Sequence, residues 1–261
     1  MEIKLNNRKA LVGGSTQGIG KAIALELARC GAEVTLMARN EDKLKNVLTE
    51  LASTSGQKHG YLVADFSDAE GFKSAVSGFF KANNIDILVN NTQGPIAGSV
   101  LEKSTDDYQL AFDLLFQTVC FTTLQALPAM QSKGFGRIIN VSSVSVREPL
   151  QHLALSNTIR ASVISWAKTL SKDVAKDNIT VNNILTGYFD TERIRDLIKF
   201  QSVSKQIAEE EQTQQMLANV PMKRFGKPEE YGYLVAFLAS EQASYITGTN
   251  IPIDGGLLKS I

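Results

Sequence analysis

Apolar residues follow two alternating rhythms along the chain. Short, nearly continuous apolar runs occur at Lys9–Gly13, Glu33–Ala38, Gly60–Ala64, Ile85–Asn90, Arg137–Val141, Thr180–Leu185 and Asn250–Ile253. Between them lie longer stretches with apolar residues at helical spacing: Gly20–Arg29, Glu41–Leu51, Ala69–Ala82, Asp106–Met130 and Asn157–Ala175. Strands without polar alternation are buried on both faces. Strand–helix alternation with such strands predicts a parallel sheet covered by helices on both sides, and right-handed crossovers make it doubly wound. No repeat, low-complexity tract or linker divides the 261 residues, so one α/β domain over residues 1–261 is expected. One stretch breaks the rhythm. Thr191 to Val220 is charged and helical in pattern, with apolar positions at Ile194, Leu197, Ile198, Ile207, Met216 and Leu217. It follows a strand end, where open α/β sheets bind ligands, and is expected to form a helical lid; a solvated surface excursion is the alternative.

Composition narrows the function classes. Hydrophobic residues make up 43% and charged residues 21%, enough for a core without disulfides or metal. Lys plus Arg equals Asp plus Glu at 27 each, so no basic excess tracks a phosphate backbone and no nucleic-acid partner is expected. No run of 18 apolar residues predicts a membrane span, and the opening MEIKLNNRKALVGG leads straight into a strand without a signal segment. Cys30 and Cys120 are isolated thiols, expected to be reduced in a cytoplasmic setting and to hold no metal.

The first strand opens into Gly14-Ser15-Thr16-Gln17-Gly18-Ile19-Gly20 at the start of a helix. Glycines let backbone turn sharply and approach a pyrophosphate, and a helix N-terminus offers free N–H groups and partial positive charge. Strand, glycine turn and helix in this order predict a dinucleotide site. The second strand ends Met37-Ala38-Arg39-Asn40. An acidic residue near this point would hold the ribose 2′-hydroxyl of NAD. Ala38 cannot, whereas Arg39 can pair with a 2′-phosphate, which favours NADP(H) and leaves NAD(H) as the alternative.

At this point the chain resembles the short-chain dehydrogenase/reductase family. The resemblance rests on Ala10-Leu11-Val12 before the glycine turn, Asp65, Asp86-Ile87-Leu88-Val89-Asn90-Asn91, Gly136-Arg137-Ile138-Ile139-Asn140-Val141-Ser142-Ser143 and Gly187. It continues through Arg224-Phe225-Gly226-Lys227-Pro228-Glu229-Glu230, Thr247-Gly248 and Asp254-Gly255-Gly256, and is nearest the branch holding 3-oxoacyl carrier-protein reductases. It implies a Rossmann domain. It also implies adenine contacts from Asp65 and Phe66, Asn91 on the adenosine side, and Phe189 and Thr191, after Gly187, at the nicotinamide carboxamide and diphosphate. The long helices Asp106–Met130 and Asn157–Ala175 would pair in a homodimer, and the segment from Asn250 to Ile261 would extend it to a homotetramer.

The family's catalytic set is a tyrosine, a lysine four positions later, a serine and an asparagine. Here the serine is Ser143, the tyrosine position holds Ser156, the lysine position Arg160 and the asparagine position Leu115. An aliphatic hydroxyl is a far weaker acid than a phenol of pKa about 10. Ser156 can hydrogen-bond a substrate oxygen but does not exchange its proton near neutral pH. Arg160 keeps the charge and can still hydrogen-bond the nicotinamide ribose, as the family's lysine does, and stabilise an alkoxide, but cannot titrate as a relay. His152 and Tyr188 are substitute proton donors to weigh against surface and packing roles. Two further departures are Gly13 for the family's threonine and Thr92-Gln93 for its Ala-Gly, which crowds the cleft. The sequence therefore supports two functions. One is an oxidoreductase acting on a small-molecule carbonyl or secondary alcohol, a 3-oxoacyl thioester being one analogy. The other is a non-catalytic nicotinamide-nucleotide sensor or partner protein.

Overall fold

The computed structural model describes residues 2–54 and 56–260. Met1 and Ile261, the outer limits of the expected domain and, for Ile261, of the C-terminal segment, lie outside the described residues. Among these residues the strands are β1 (Lys9–Gly13), β2 (Glu33–Ala38), β3 (Gly60–Val63), β4 (Ile87–Asn90), β5 (Gly136–Val141), β6 (Ile179–Thr186) and β7 (Asn250–Ile253). They form one sheet in the order β3-β2-β1-β4-β5-β6-β7, every pairing parallel. The order reverses between β1 and β4, which is where such sheets open a crevice for ligands.

The strand pleat sorts the core onto two faces. Ala10 and Val12 turn to one side with residues of α1 (Gly18–Arg29), α2 (Glu41–Leu48) and α9 (Pro228–Ala239). Leu11 turns to the other, with α3 (Ala69–Ala82), α5 (Thr118–Lys133) and α6 (Ala154–Val174). On the first face a Cβ at Gly232 would lie 2.9 Å from the Ala22 carbonyl, so α9 rests directly on α1.

Several boundaries differ from the sequence expectation. The helix α1 begins at Gly18, inside the glycine turn. The helix α2 ends at Leu48, where Thr49 caps back onto the Asn46 carbonyl at 2.7 Å. The expected 106–130 helix is α4 (Thr105–Phe112) and α5 joined without a break by a π-helical turn at Asp113–Gln117. By length and composition this continuous helix would suffice to cross a membrane, a candidate that the sequence reading did not find. It packs on α3 and α6 and sends Thr123 to the sheet.

An asparagine ladder stitches four strands together beneath the carboxyl edge. Asn90, Asn140, Asn183 and Asn250 stand in register on neighbouring strands. Asn90 Nδ2 donates to Asn140 Oδ1 at 2.9 Å and to Thr123 Oγ1 at 3.1 Å. Asn140 Nδ2 donates to Asn183 Oδ1 at 2.9 Å, and Asn183 Nδ2 to Asn250 Oδ1 at 2.8 Å. A buried amide is tolerated only when partnered, and each link satisfies the next. Asn140→Ala removes the central link and strands an acceptor on Asn183. A loss of about 1–3 kcal/mol is expected, read as a lower urea midpoint at unchanged slope; an unchanged midpoint would show the ladder to be dispensable.

Candidate active site

The crevice begins where β1 ends. Gly14 takes a left-handed φ of 56° and Gly18 one of 54°, conformations natural to glycine. A Cβ on Gly20 would be driven into the Gly14 carbonyl and would stand 2.7 Å from Asn91 Nδ2. Ser15 turns inward, fully buried, and accepts the Met37 N–H at 3.0 Å, so it does not plug the bend. Gln17 caps α1 in extended conformation with no side-chain bond, which leaves the first-turn amides, those of Ile19 and Gly20 among them, open to a phosphate. The bend therefore fits a dinucleotide: the close approach that backbone donors need is already built.

Asn91 does more than line the cleft. Its Nδ2 donates to the Gly13 carbonyl at 3.0 Å and lies 3.4 Å from that of Gly14. The same contact explains Gly13, since a Cβ there would meet the Asn91 carbonyl oxygen at 2.6 Å. A threonine would not fit this backbone.

At the far end of β2, Arg39 is exposed, and among the described residues no carboxylate lies within ion-pair distance of it. Its neighbour Asp65 accepts from the Ser67 hydroxyl at 2.6 Å and amide at 2.9 Å. Those bonds, with a smaller pull from Arg39, hold the Asp65 carboxyl below its usual range. The Phe66 ring is buried against Phe72, centroids 5.3 Å apart, with its edge beside Gly13.

Ser143, Ser156 and Arg160 lie between the end of β5 and the first turns of α6. Ser143 follows β5 and its Oγ accepts the Ser145 amide at 3.1 Å, which fixes the hydroxyl while leaving its proton to donate. Ser156, in the first turn of α6, is buried, with no hydrogen-bond partner among the described residues. Arg160, one turn on, donates to the Val141 carbonyl at 2.7 Å. Burial, then the facing guanidinium of Arg193, push Arg160 down to about 10. It thus stays protonated at neutral pH. Leu115 sits in the π-helical turn and packs with Leu155 and Ile159, closing the helix side of the site with hydrocarbon.

Beyond β6, Gly187 is pressed against β7: a Cβ would stand 2.6 Å from Asp254 Cα. The Phe189 ring packs edge-on to Tyr231, centroids 5.3 Å apart. Thr191 caps α7 (Glu192–Lys205), and its methyl lies 3.2 Å from where a Gly18 Cβ would stand. The start of α7 thus meets the glycine bend. Helix α7 and α8 (Glu209–Ala218) are held by Ile194, Ile198 and Met216, with Tyr188 packed against them. Tyr188 makes no side-chain hydrogen bond among the described residues, and burial pushes its phenol up. His152 is exposed on the loop before α6, its carbonyl bonded to the Gly98 amide at 2.8 Å.

Two residues at this end escaped the sequence reading. Tyr231 is fully buried behind Arg160, its hydroxyl 3.0 Å from Thr186 Oγ1. In sequence it is one apolar position of α9. Arg193 reaches from α7 onto Gly94 after β4, with Cζ 2.7 Å from where a Gly94 Cβ would stand. Its signal was its place two residues after the Thr191 cap.

Comparison with known proteins gives matches over nearly the whole chain. Residues 14–258 match the family described as Enoyl-(Acyl carrier protein) reductase. The NADPH-dependent reductase BacG of Bacillus subtilis (strain 168) is 34% identical, over 98% of this chain and 100% of its own length. The 3-oxoacyl-[acyl-carrier-protein] reductase FabG of Aquifex aeolicus (strain VF5) is 33% identical, over 98% and 100%. Among solved structures, L-sorbose reductase from Gluconobacter frateurii, complexed with NADPH and L-sorbose, superposes with a TM-score of 0.92 at 30% identity, covering 100% of both chains.

The bend supplies a direct test. Gly20→Ala, with its Cβ forced against Gly14 and Asn91, is expected to weaken NADPH affinity at least 100-fold by fluorescence titration. Retained affinity would place the nucleotide elsewhere.

Proposed function

The chain belongs to the short-chain dehydrogenase/reductase family, and on that premise we propose that it is an NADP(H)-dependent oxidoreductase interconverting a carbonyl and a secondary alcohol. The observation that carries this reading is the open glycine bend with Arg39, unpaired among the described residues, at the end of β2. NADP(H), when bound, supplies or takes up the hydride. The chain's own residues do the rest. First-turn amides from Gly18 to Gly20 receive the diphosphate, Arg39 the 2′-phosphate, and Asp65 with the Phe66 backbone borders the adenine. The Phe189 backbone and Thr191 close over the nicotinamide end. Residues 191–220 act as its lid within one domain. Ser143 and Ser156 donate hydrogen bonds to the substrate oxygen, and Arg160 holds fixed positive charge beside them. Neither serine exchanges its proton near neutral pH, so water at the cleft mouth supplies it. A positioned acid is worth on the order of 10²–10⁴ in rate, so slow but real turnover is the expectation.

A 3-oxoacyl thioester, after the name of the Aquifex aeolicus relative, is one carbonyl of this kind. Exposed Leu110 and Leu124 and the stacked rings of Phe112 and Phe116 support a homodimer or homotetramer built on α4 to α6. Cys30, buried and pushed up to about 11 mainly by desolvation, is an inert thiol, which supports a reducing, cytoplasmic setting.

A second reading, a non-catalytic nucleotide sensor or partner protein, draws on Leu115 and Ser156: neither titrates, and Leu115 packs on Leu155. Two substitutions separate the readings. Arg39→Ala is expected to weaken NADPH about 10–100-fold and leave NADH unchanged, the scale of one charge-assisted contact; equal losses for both would remove Arg39 from the phosphate site. For turnover, the parent is expected to oxidise NADPH with a carbonyl panel, and Ser156→Tyr with Arg160→Lys to change that rate. A silent parent that becomes active only in the double variant would establish the sensor reading.

A further inference from the structure

From the proposed function, and resting on it, we infer that Glu148 is a positioning residue for the reaction. Its carboxylate straps the segment after β7 to the loop that joins Ser143 to Ser156, and so sets where the two hydroxyls stand.

The loop between the serines needs an anchor outside itself. Ser143 Oγ is held by the Ser145 amide, which belongs to the loop, so a shift of the loop carries the hydroxyl with it. At the other end α6 starts from Leu153 without a side-chain cap, and Ser156 lies in its first turn. That start is held by Asn157 Nδ2 on the Leu150 carbonyl at 2.8 Å and by the Gly98 amide on the His152 carbonyl at 2.8 Å. Between these points the amides of Val146, Arg147 and Glu148 all return to the carbonyls of Ser143 or Val144. Two side chains lead away from the loop. Arg147 reaches the Asn250 carbonyl only at 3.5 Å, the outer limit of a hydrogen bond. Glu148 Oε1 accepts the Lys259 amide at 2.8 Å and the Ser260 amide at 2.7 Å, 111 and 112 positions away.

The segment that Glu148 grips is built, although it is neither helix nor strand. Every amide from Gly256 to Ser260 is taken: Asp254 accepts those of Gly256, Leu257 and Leu258, and Glu148 accepts the other two. Irregular backbone must find partners for its donors, and here two carboxylates supply most of them. The Ser260 amide, then that of Lys259, hold the Glu148 carboxyl below its usual range, so it stays ionised and accepting at neutral pH. The inner side of the segment rests on the chain that leaves the 191–220 region. The Gly255 carbonyl accepts the Met222 amide at 3.2 Å, and a Cβ on Gly256 would stand 3.1 Å from Pro221 Cγ. The strap thus runs from the exit of that region to the loop between the serines.

The test uses Glu148→Ala, Glu148→Gln, the pair Lys259→Pro with Ser260→Pro, and Glu148→Ala combined with both prolines. Proline has no N–H, so the pair removes both donors and keeps the chain length. Two readouts are taken: NADPH oxidation with a ketone panel headed by ethyl 3-oxobutanoate, and hydrogen exchange of amides 144–150. Glu148→Ala and the proline pair are each expected to speed exchange at 144–150 about 10-fold, with residues 14–20 unchanged. In both, kcat is expected to fall about 10-fold, with KM and NADPH affinity within about two-fold of the parent. The combined variant is expected to be no slower than either alone, since both changes remove the same contact. Glu148→Gln keeps an accepting oxygen and is expected to recover most of kcat. Unchanged exchange at 144–150, additive losses, or faster exchange at undiminished kcat overturns the proposal. A parent silent across the panel, whose exchange still couples 144–150 to the amides of 259 and 260, keeps the strap while the oxidoreductase reading falls. Silence without that coupling removes both.

Discussion

The architecture of the cleft depends on one tight contact between the ends of β1 and β4. These strands pair as far as Val12 and Val89 and then part. Past that point β1 runs into Gly13 and Gly14, and β4 runs into Asn91, whose amide reaches both glycine carbonyls. Each such bond contributes about 1 kcal/mol, a modest sum. The geometric effect is larger. With Asn91 in place the backbone at 13, 14 and 20 has no room for a Cβ, and the glycine amides are aimed at the crevice before any ligand arrives. Donors fixed in this way need no reorganisation when the nucleotide binds.

Charge is distributed over the crevice with the same economy. The cradle uses backbone dipoles, Arg39 sits in water at one end, and Arg160 is partly buried at the other, bonded to the Val141 carbonyl. A lysine in the same place would shed its proton more readily under burial than an arginine.

The sheet was legible because its signals are local. Continuous apolar strands, the glycine turn and helical spacing each act over a few residues, so β1, β2, β7 and α3 fall where the pattern puts them. The π-helical turn was not legible: its extra residue is offset by packing of Leu115 on α6, and nothing in the spacing of apolar residues marks it. The positions of Ser143, Ser156 and Arg160 followed from motif register. Their surroundings did not. Phe66 and Phe189 read as cofactor contacts by position, yet their rings belong to the core, because a ring next to a strand end gains more from burial against Phe72 or Tyr231 than from an open cleft. Arg193 and Gly94 lie about a hundred positions apart, and only the folded chain shows that one fills the space left by the other.

The loss of tyrosine, lysine and asparagine together has a consistent physical meaning. Leu115 packs with Leu155 and Ile159, which flank Ser156 and Arg160 along α6, so hydrocarbon stands where a polar relay would run. A positioned acid contributes on the order of 10²–10⁴, or about 3–5 kcal/mol of barrier. Holding donor and acceptor in line contributes about 7–11 kcal/mol. The features that would serve alignment of a bound nucleotide are present: the bend, the Asn91 clamp and the contact of Thr191 with Gly18. On the proposed reading the smaller contribution is given up and the larger one kept.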